Sequence, residues 1–276
     1  MIKEISSVHN DLIKDIIQLQ AKSRLRKKKG LFVIEGLREI NLALTSGYTL
    51  KSLLFCDEII SKTDLEKLMG TIDLNKVELI RITLPVYERI AHRKTTEGIV
   101  AISVVKELIL NDIMLNKNPL ILVAEASEKP GNLGALFRTA DAANLDAVII
   151  ANPVTDLFNP NIIRSSVGCV FTNQIATGST DEILAFLKKK KIKIYAAALD
   201  KTSKAYDSIH FTEPSAIVVG TEATGLSAEW INQSTENIII PMQGKIDSLN
   251  VSVSAAIIIF EAKRQRKYKI QSEDPL

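Results

Sequence analysis

Residues 119–140 read PLILVAEASEKPGNLGALFRTA, and their order sets the fold class. Pro119–Ala124 is apolar throughout, the signature of a strand covered on both faces rather than of a half-exposed one. Gly134–Asn144 then carries apolar residues at helical spacing. Between them lies a loop in which Gly131 and Gly134 bracket Asn132, so the backbone can turn tightly and approach a ligand where a β-carbon would obstruct it. A strand, a short loop and a helix in that order form half of a parallel α/β unit. The pattern continues outward: strands at 146–150, 193–198, 216–219 and 237–240, and helices at 181–191, 227–233 and 251–267. The expectation is a mostly parallel sheet, whose ligands bind beyond the carboxyl ends of its strands.

Upstream, a second and smaller α/β module is legible. Val8, Leu12, Ile13, Ile16, Ile17 and Leu19 mark one helix over residues 8–29. Strands follow at 31–36, 50–55, 77–82 and 98–104, with helices at 37–46 and 64–69. The boundaries read as a first domain over 1–105, a linker over 106–117 and a second domain over 118–270. A length of 276 residues suits two domains, and 46% hydrophobic residues suffice for two cores. Cys56 and Cys169 cannot form a disulfide framework, and no Cys/His cluster has metal-ligand spacing. The start MIKEISSVHND is charged where a signal peptide is apolar, and no run of about 18 apolar residues occurs. A cytoplasmic, reduced protein with no membrane contact and no metal is expected.

The net charge of +3 divides unevenly. Residues 1–105 hold 17 basic and 13 acidic side chains, a balance of +4, and residues 106–276 hold 18 and 19, a balance of −1. The excess is densest at Lys22-Ser23-Arg24-Leu25-Arg26-Lys27-Lys28-Lys29, where a polyanion could bind. The alternative is a solvated helix end stopped by Gly30. With 5% aromatic residues, recognition of nucleic acid mainly by base stacking is disfavoured.

Two further loops follow apolar strands. Gly220-Thr221-Glu222-Ala223-Thr224-Gly225-Leu226-Ser227 places a carboxylate directly after AIVVG, where a core residue would need a partner; capping the next helix is its structural alternative. Ile240-Pro241-Met242-Gln243-Gly244-Lys245-Ile246-Asp247-Ser248-Leu249-Asn250-Val251-Ser252 offers Ser248 as an N-cap, assisted by Asn250. Neither the phosphate-loop nor the dinucleotide fingerprint occurs, which leaves a dehydrogenase or NTPase reading with only the α/β pattern.

Together the three loops resemble the motifs of the SpoU/TrmH family of RNA ribose 2′-O-methyltransferases: Asn132-x-Gly134-x-x-x-Arg138-Thr139-Ala140, Gly220-x-Glu222-x-x-Gly225-Leu226, and the segment Ile240–Ser252. The resemblance covers residues 118–267. Phe32-Val33-Ile34-Glu35-Gly36 and Thr96-Glu97-Gly98-Ile99 are similar to the ribosomal-protein-like RNA-binding module that many members carry. His92-Arg93-Lys94-Thr95-Thr96-Glu97 is more basic than the family's usual stretch. The resemblance implies a trefoil-knotted domain that uses S-adenosylmethionine and works as a homodimer on RNA, with ribosomal RNA favoured, transfer RNA as the alternative, and a catalytically inactive RNA-binding protein as a different class.

It also implies roles. Gly220, Ile240, Leu249, Met242, Leu199 and Glu222 would contact the cofactor. Arg138, with Asn132, Glu222, Ser248 and Asn250, would act at the reacting ribose. Arg24, Arg26, Lys27, Lys28, Lys29, Arg93 and Arg164 are the RNA-contact candidates. The helix from Val251 carries Ser252, Ala255, Ala256 and Ile259 on one face, suited either to a dimer interface or to packing on its own sheet.

Overall fold

A computed structural model describes residues 2–92, 97–221 and 224–267. The chain forms two compact units, Met1–Glu107 with Asp156–Thr172, and Leu108–Thr155 with Asn173–Leu276. The division is therefore not a single cut near residue 110: a segment from within the second half of the sequence belongs to the first unit.

In the first unit the elements run β1 (Lys3–Ile5), α1 (Asp11–Ala21), α2 (Ser23–Lys29), β2 (Leu31–Glu35), α3 (Leu37–Thr45), β3 (Leu50–Phe55), α4 (Lys62–Met69), β4 (Glu78–Ile82), α5 (Leu84–Ile90) and β5 (Ile99–Val104). The sheet order is β1-β4-β3-β5-β2, with β5 antiparallel to both neighbours and the other pairs parallel. The single helix expected over residues 8–29 is broken at Lys22, which is extended (φ −120°, ψ 108°). The break has a reason in Arg26. Its guanidinium turns inward, 3% exposed, and donates to the Leu19 and Gln20 carbonyls at 2.6 and 3.1 Å. Those carbonyls end α1, where the last helical C=O groups lack intrahelical partners. Arg26 also pairs with Asp156 at 2.5 Å.

Asp156 opens the segment that returns to this unit, which carries α7 (Pro160–Ser165) and α8 (Cys169–Thr172). Phe158 and Phe171 from it complete an aromatic cluster: Phe158 lies 4.5 Å from Phe32 and Phe171 lies 5.0 Å from Tyr48, centroid to centroid. Burial pushes the Tyr48 hydroxyl up to about 12, while Lys106 sits over its ring at 4.3 Å. Gly168 (φ +83°) lies in the left-handed region that favours glycine, and a β-carbon there would press on Leu42 Cδ1 at 2.8 Å.

The second unit contains β6 (Leu120–Glu125), α6 (Pro130–Ala142), β7 (Ala147–Ala151), β8 (Ile175–Gly178), α9 (Thr180–Lys189), β9 (Lys193–Ala197), β10 (Lys204–Ala205), β11 (Ser215–Val219), α10 (Ala228–Gln233), β12 (Glu236–Ile239) and α11 (Val251–Gln265). Its seven strands, ordered β10-β12-β9-β11-β6-β7-β8, pair in parallel throughout. The α/β class with a large parallel sheet is the architecture expected. Every residue of β6, β7 and β11 is buried, which explains their unbroken apolar runs. One row of register joins Ile238, Ala197, Val219, Ala124, Ile150 and Thr177. The carboxyl ends of six strands thus form one edge. Residues 108–117, read as linker, pack into this unit: Ile113 is in its core, and Met114 exchanges two 2.9 Å hydrogen bonds with the Gln174 side chain. Among the described residues no helix is long and apolar enough to cross a membrane.

Candidate functional site

A cleft of about 470 Å³ opens at that carboxyl edge. Its walls come from Ala198 and Leu199 after β9, from Gly220, Thr221 and Thr224–Leu226 after β11, and from Ile240 and Met242 after β12. Asp247–Leu249 and the first turns of α11 complete it. The volume is that of a small-molecule or cofactor site. Five expected cofactor residues, Leu199, Gly220, Ile240, Met242 and Leu249, meet here, and Ser248 joins them. Glu222 and Arg93 lie outside the described residues. Thr221, Thr224 and Ser254 also line the cleft, though the sequence marked none of them.

The turn after β11 shows why glycines stand where they do. Thr221 and Gly225 exchange backbone hydrogen bonds of 3.1 and 3.0 Å, and Thr221 Oγ1 accepts from the Thr224 amide at 3.0 Å. Gly225 has φ +67°, and a β-carbon on Gly220 would run into the Gly225 backbone. The turn therefore closes only with glycine at 220, leaving main-chain groups facing the cleft.

The third loop ends differently from its expected form. Asn250, not Ser248, is the N-cap of α11: its Oδ1 accepts from the Ser252 amide at 3.0 Å and from the Ser252 hydroxyl at 2.6 Å. Ser248 is left exposed at the cleft, its hydroxyl reaching Asp247 at 3.4 Å. Asn250 Nδ2 also donates to Asn132 Oδ1 at 3.2 Å. That bond ties the first loop to the third, joining two residues assigned to the same task.

Asn132 sits in the first turn of α6, which starts at Pro130, earlier than the periodicity indicated. Arg138 lies two turns into that helix, exposed, while Leu133, Leu136, Phe137 and Ala140 are buried. Among the described residues lining the cleft, neither Arg138 nor Asn132 occurs. Beside Leu199, hydrogen bonds from Thr202 hold the Asp200 carboxyl below the usual carboxylate range.

The RNA candidates separate by environment. Arg24, Lys27 and Lys28 are exposed on α2, and Lys29 pairs with Asp15 at 2.6 Å. Arg26 is withdrawn from the surface, since it caps α1 and neutralises Asp156. Arg164 is exposed on α7 and donates to Asn161 Oδ1 at 2.9 Å, with His92 Nε2 3.2 Å from the same oxygen. Arg164 therefore belongs to the first unit rather than to the cofactor edge. Among the described residues no group of three or more His, Cys, Asp or Glu could hold a metal ion.

The profile of the SpoU rRNA Methylase family matches residues 119–260, and that of the MRM3-like substrate binding domain matches residues 10–101. The 23S rRNA (guanosine(2553)-2′-O)-methyltransferase of Bacillus subtilis is 30% identical over 262 residues, 95% of this chain and 100% of the relative. The tRNA (guanosine(18)-2′-O)-methyltransferase of Thermus thermophilus is 33% identical over 159 residues, 57% of this chain and 81% of the relative. The crystal structure of an AdoMet-bound rRNA methyltransferase from Sinorhizobium meliloti aligns with a TM-score of 0.87 at 28% identity, over 95% of this chain and 98% of that one.

Proposed function

The chain belongs to the SpoU rRNA methylase family, and from that premise we propose that it transfers the methyl group of S-adenosylmethionine to a ribose 2′-hydroxyl of ribosomal RNA. The observation that carries this reading is the meeting of Leu199, Gly220, Ile240, Met242 and Leu249 around one cleft at the carboxyl edge of the parallel sheet. The lining fits the cofactor: main-chain groups at a glycine turn suit its polar atoms, and Leu226, Ile238, Met242 and Ile258 suit an adenine ring. Bound there, S-adenosylmethionine supplies a methyl group activated by its sulfonium.

The remaining chemistry belongs to this chain. An aliphatic hydroxyl is a poor nucleophile at neutral pH, so its proton must be removed or polarised. A guanidinium keeps its own proton at neutral pH and is a poor base. Arg138 instead fixes the neighbouring RNA phosphate and favours the alkoxide electrostatically, while the hydroxyl proton passes to that phosphate. Asn132 and Asn250, already hydrogen-bonded to each other, orient the ribose with Ser248 and Glu222. Because Arg138 lies outside its own chain's cleft lining, it acts across a homodimer, at the partner copy's pocket. Val253 and Phe260 of α11, 47% and 46% exposed, supply apolar surface for that dimer. The segment from Ile240 into α11, which lines the cleft and packs on α6 and β11, is the part that would be threaded in a trefoil knot. Action on ribosomal RNA places the enzyme in the cytoplasm.

Ribosomal RNA is favoured over transfer RNA because similarity to the ribosomal enzyme extends through the first unit, whereas the transfer-RNA enzyme matches 57% of the chain. S-adenosylhomocysteine should raise the melting temperature, and NAD or ATP should not. Mapping 2′-O-methyl groups on RNA from cells with and without the protein should show the loss of a ribosomal site. If ribosomal RNA is unchanged while transfer RNA loses methyls, the substrate assignment fails. RNA binding without any methyl transfer would sink the enzymatic reading.

A further inference from the structure

Glu125, the last residue of β6, is 6% exposed and lies outside the cleft lining. A buried carboxylate is costly unless its oxygens are satisfied. Here both are. Oε2 accepts from the Ser227 amide at 2.8 Å, and Oε1 accepts from the Ser227 hydroxyl at 2.8 Å and the Thr180 hydroxyl at 3.4 Å. Thr180 Oγ1 in turn accepts from Asn152 Nδ2 at 2.9 Å, and the Thr180 amide donates to Asn152 Oδ1 at 3.3 Å.

These four residues lie at or beyond the carboxyl ends of four neighbouring strands. Glu125 ends β6, Asn152 follows β7, Thr180 starts the helix after β8, and Ser227 closes the turn after β11. The network runs along the same edge that holds the cleft. Two further details show that the edge is shaped rather than relaxed. Ala126 and Asn152, which leave β6 and β7, both have positive φ, 46° and 48°. Ser227 occupies the N-cap of α10 yet makes no capping hydrogen bond, because its hydroxyl is turned to Glu125. A local helix preference has been given up for the carboxylate.

We infer that Glu125 is a positioning residue that fixes the cleft-lining residues Gly220, Thr221 and Thr224–Leu226 by anchoring the far end of their turn at Ser227. The turn is held at its near end by β11, whose Val219 pairs with Ala124, the residue before Glu125. With both ends tied to β6, Gly220, Thr221, Thr224 and Gly225 are held in the arrangement that lines the cleft. The inference rests on the reading of that cleft as the S-adenosylmethionine site.

Glu125→Gln keeps the side-chain shape but removes the charge and replaces one acceptor oxygen by a donor amide. The bond to the Ser227 amide then becomes a neutral one, and the Ser227 hydroxyl, which donates to the carboxylate, must turn to accept. In the whole chain, Glu125→Gln should weaken S-adenosylhomocysteine binding about tenfold by calorimetry, as the loss of charge assistance in the bonds to Ser227 implies. The KM for S-adenosylmethionine should rise in parallel, with kcat at saturation and ribosomal-RNA affinity within about twofold of the parent. Ser227→Ala should shift the same constants in the same direction by about threefold, and the double variant should be no weaker than Glu125→Gln alone. A residue of merely structural importance would lower the melting temperature and leave the S-adenosylhomocysteine affinity of the folded fraction unchanged, which overturns the proposal. So does a fall in kcat with KM unchanged. If Glu125→Gln does not fold, Ser227→Ala decides: affinity within about 1.5-fold of the parent is a refutation. A parent protein that fails to bind S-adenosylhomocysteine refutes the functional reading itself, a distinct result.

Discussion

Both sheets gather strand ends along a carboxyl edge, and the two edges have opposite chemistry. In the second unit the turns after β9, β11 and β12 face a cleft whose described lining holds one charged residue, Asp247. In the first unit the corresponding backbone amides are already taken by carboxylates. Glu97 accepts from the Leu37 amide at the start of α3, Glu58 from Leu84 at the start of α5, and Glu35 from His92. Helix starts are ready-made anion sites, and those of α3 and α5 are closed by the protein's own anions. On the proposed function, phosphate contact in the first unit would therefore come from side chains, foremost the exposed cations of α2, whereas a ligand in the second unit's cleft would meet mostly main chain and apolar walls.

The largest effect that would test this division is at Arg138. Arg138→Ala should reduce methyl transfer at least about a thousandfold, about 4 kcal/mol of transition-state stabilisation, with S-adenosylhomocysteine affinity within about twofold. Retained turnover would break the assignment of chemistry to α6. Next is Arg26, which in the comparison is a core residue among surface cations. Arg26→Met should cost about 3 kcal/mol in denaturant unfolding, because Asp156 would be left as an uncompensated buried charge. A loss of RNA affinity with unchanged stability would return Arg26 to the surface group.

A triple variant, Arg24→Ala with Lys27→Ala and Lys28→Ala, should weaken RNA binding about tenfold and lower the slope of log Kd against log salt by about 2, from roughly 0.7 per phosphate contact. Cofactor affinity should not move. An unchanged salt slope would make the cluster only a helix end. The smallest effect concerns Glu261, whose carboxyl is pushed down to about 2 by hydrogen bonds from Arg264 and Gln265. Its contribution to stability is complete above the ordinary carboxylate range near pH 4.3 and is lost as pH falls toward about 2. Glu261→Gln should therefore narrow the stability gap between pH 5 and pH 2.5 in urea titrations, by less than about 1 kcal/mol.

What the sequence showed and hid follows from burial. The strands read from their apolar runs, Pro119–Ala124 and Ala216–Val219, fall in β6 and β11, which are buried at every position and polar only at one end, Glu125 and Ser215. The three strands missed, β1, β8 and β10, are all sheet edges of two to four residues, where half-polar sequences such as KEI, IATG and KA satisfy the pairing. The cleft residues Leu199, Gly220, Ile240, Met242 and Leu249 were legible through the resemblance of the loops to family motifs, whereas the cap at Asn250 was read too early, at Ser248. Arg26 was not, since charge in a basic run carries no mark of the one member that turns inward. Glu125 gave a signal that went unused: a carboxylate closing the apolar run LILVAE, the same cue that singled out Glu222.

The returning segment has a consequence for the order of synthesis. Asp156, Phe158 and Phe171 complete the ion pair and aromatic cluster of the first unit, yet they emerge from the ribosome some fifty or more residues after β5, its last strand. Until Asp156 and Phe158 have been made, Arg26 lacks its acid and Phe32 lacks the ring 4.5 Å from it, and Phe171 follows later still. The amino-terminal unit therefore cannot finish before β6, α6 and β7 exist, against the usual sequence in which the first domain folds first. Its last core residues are delivered by the neighbour it precedes.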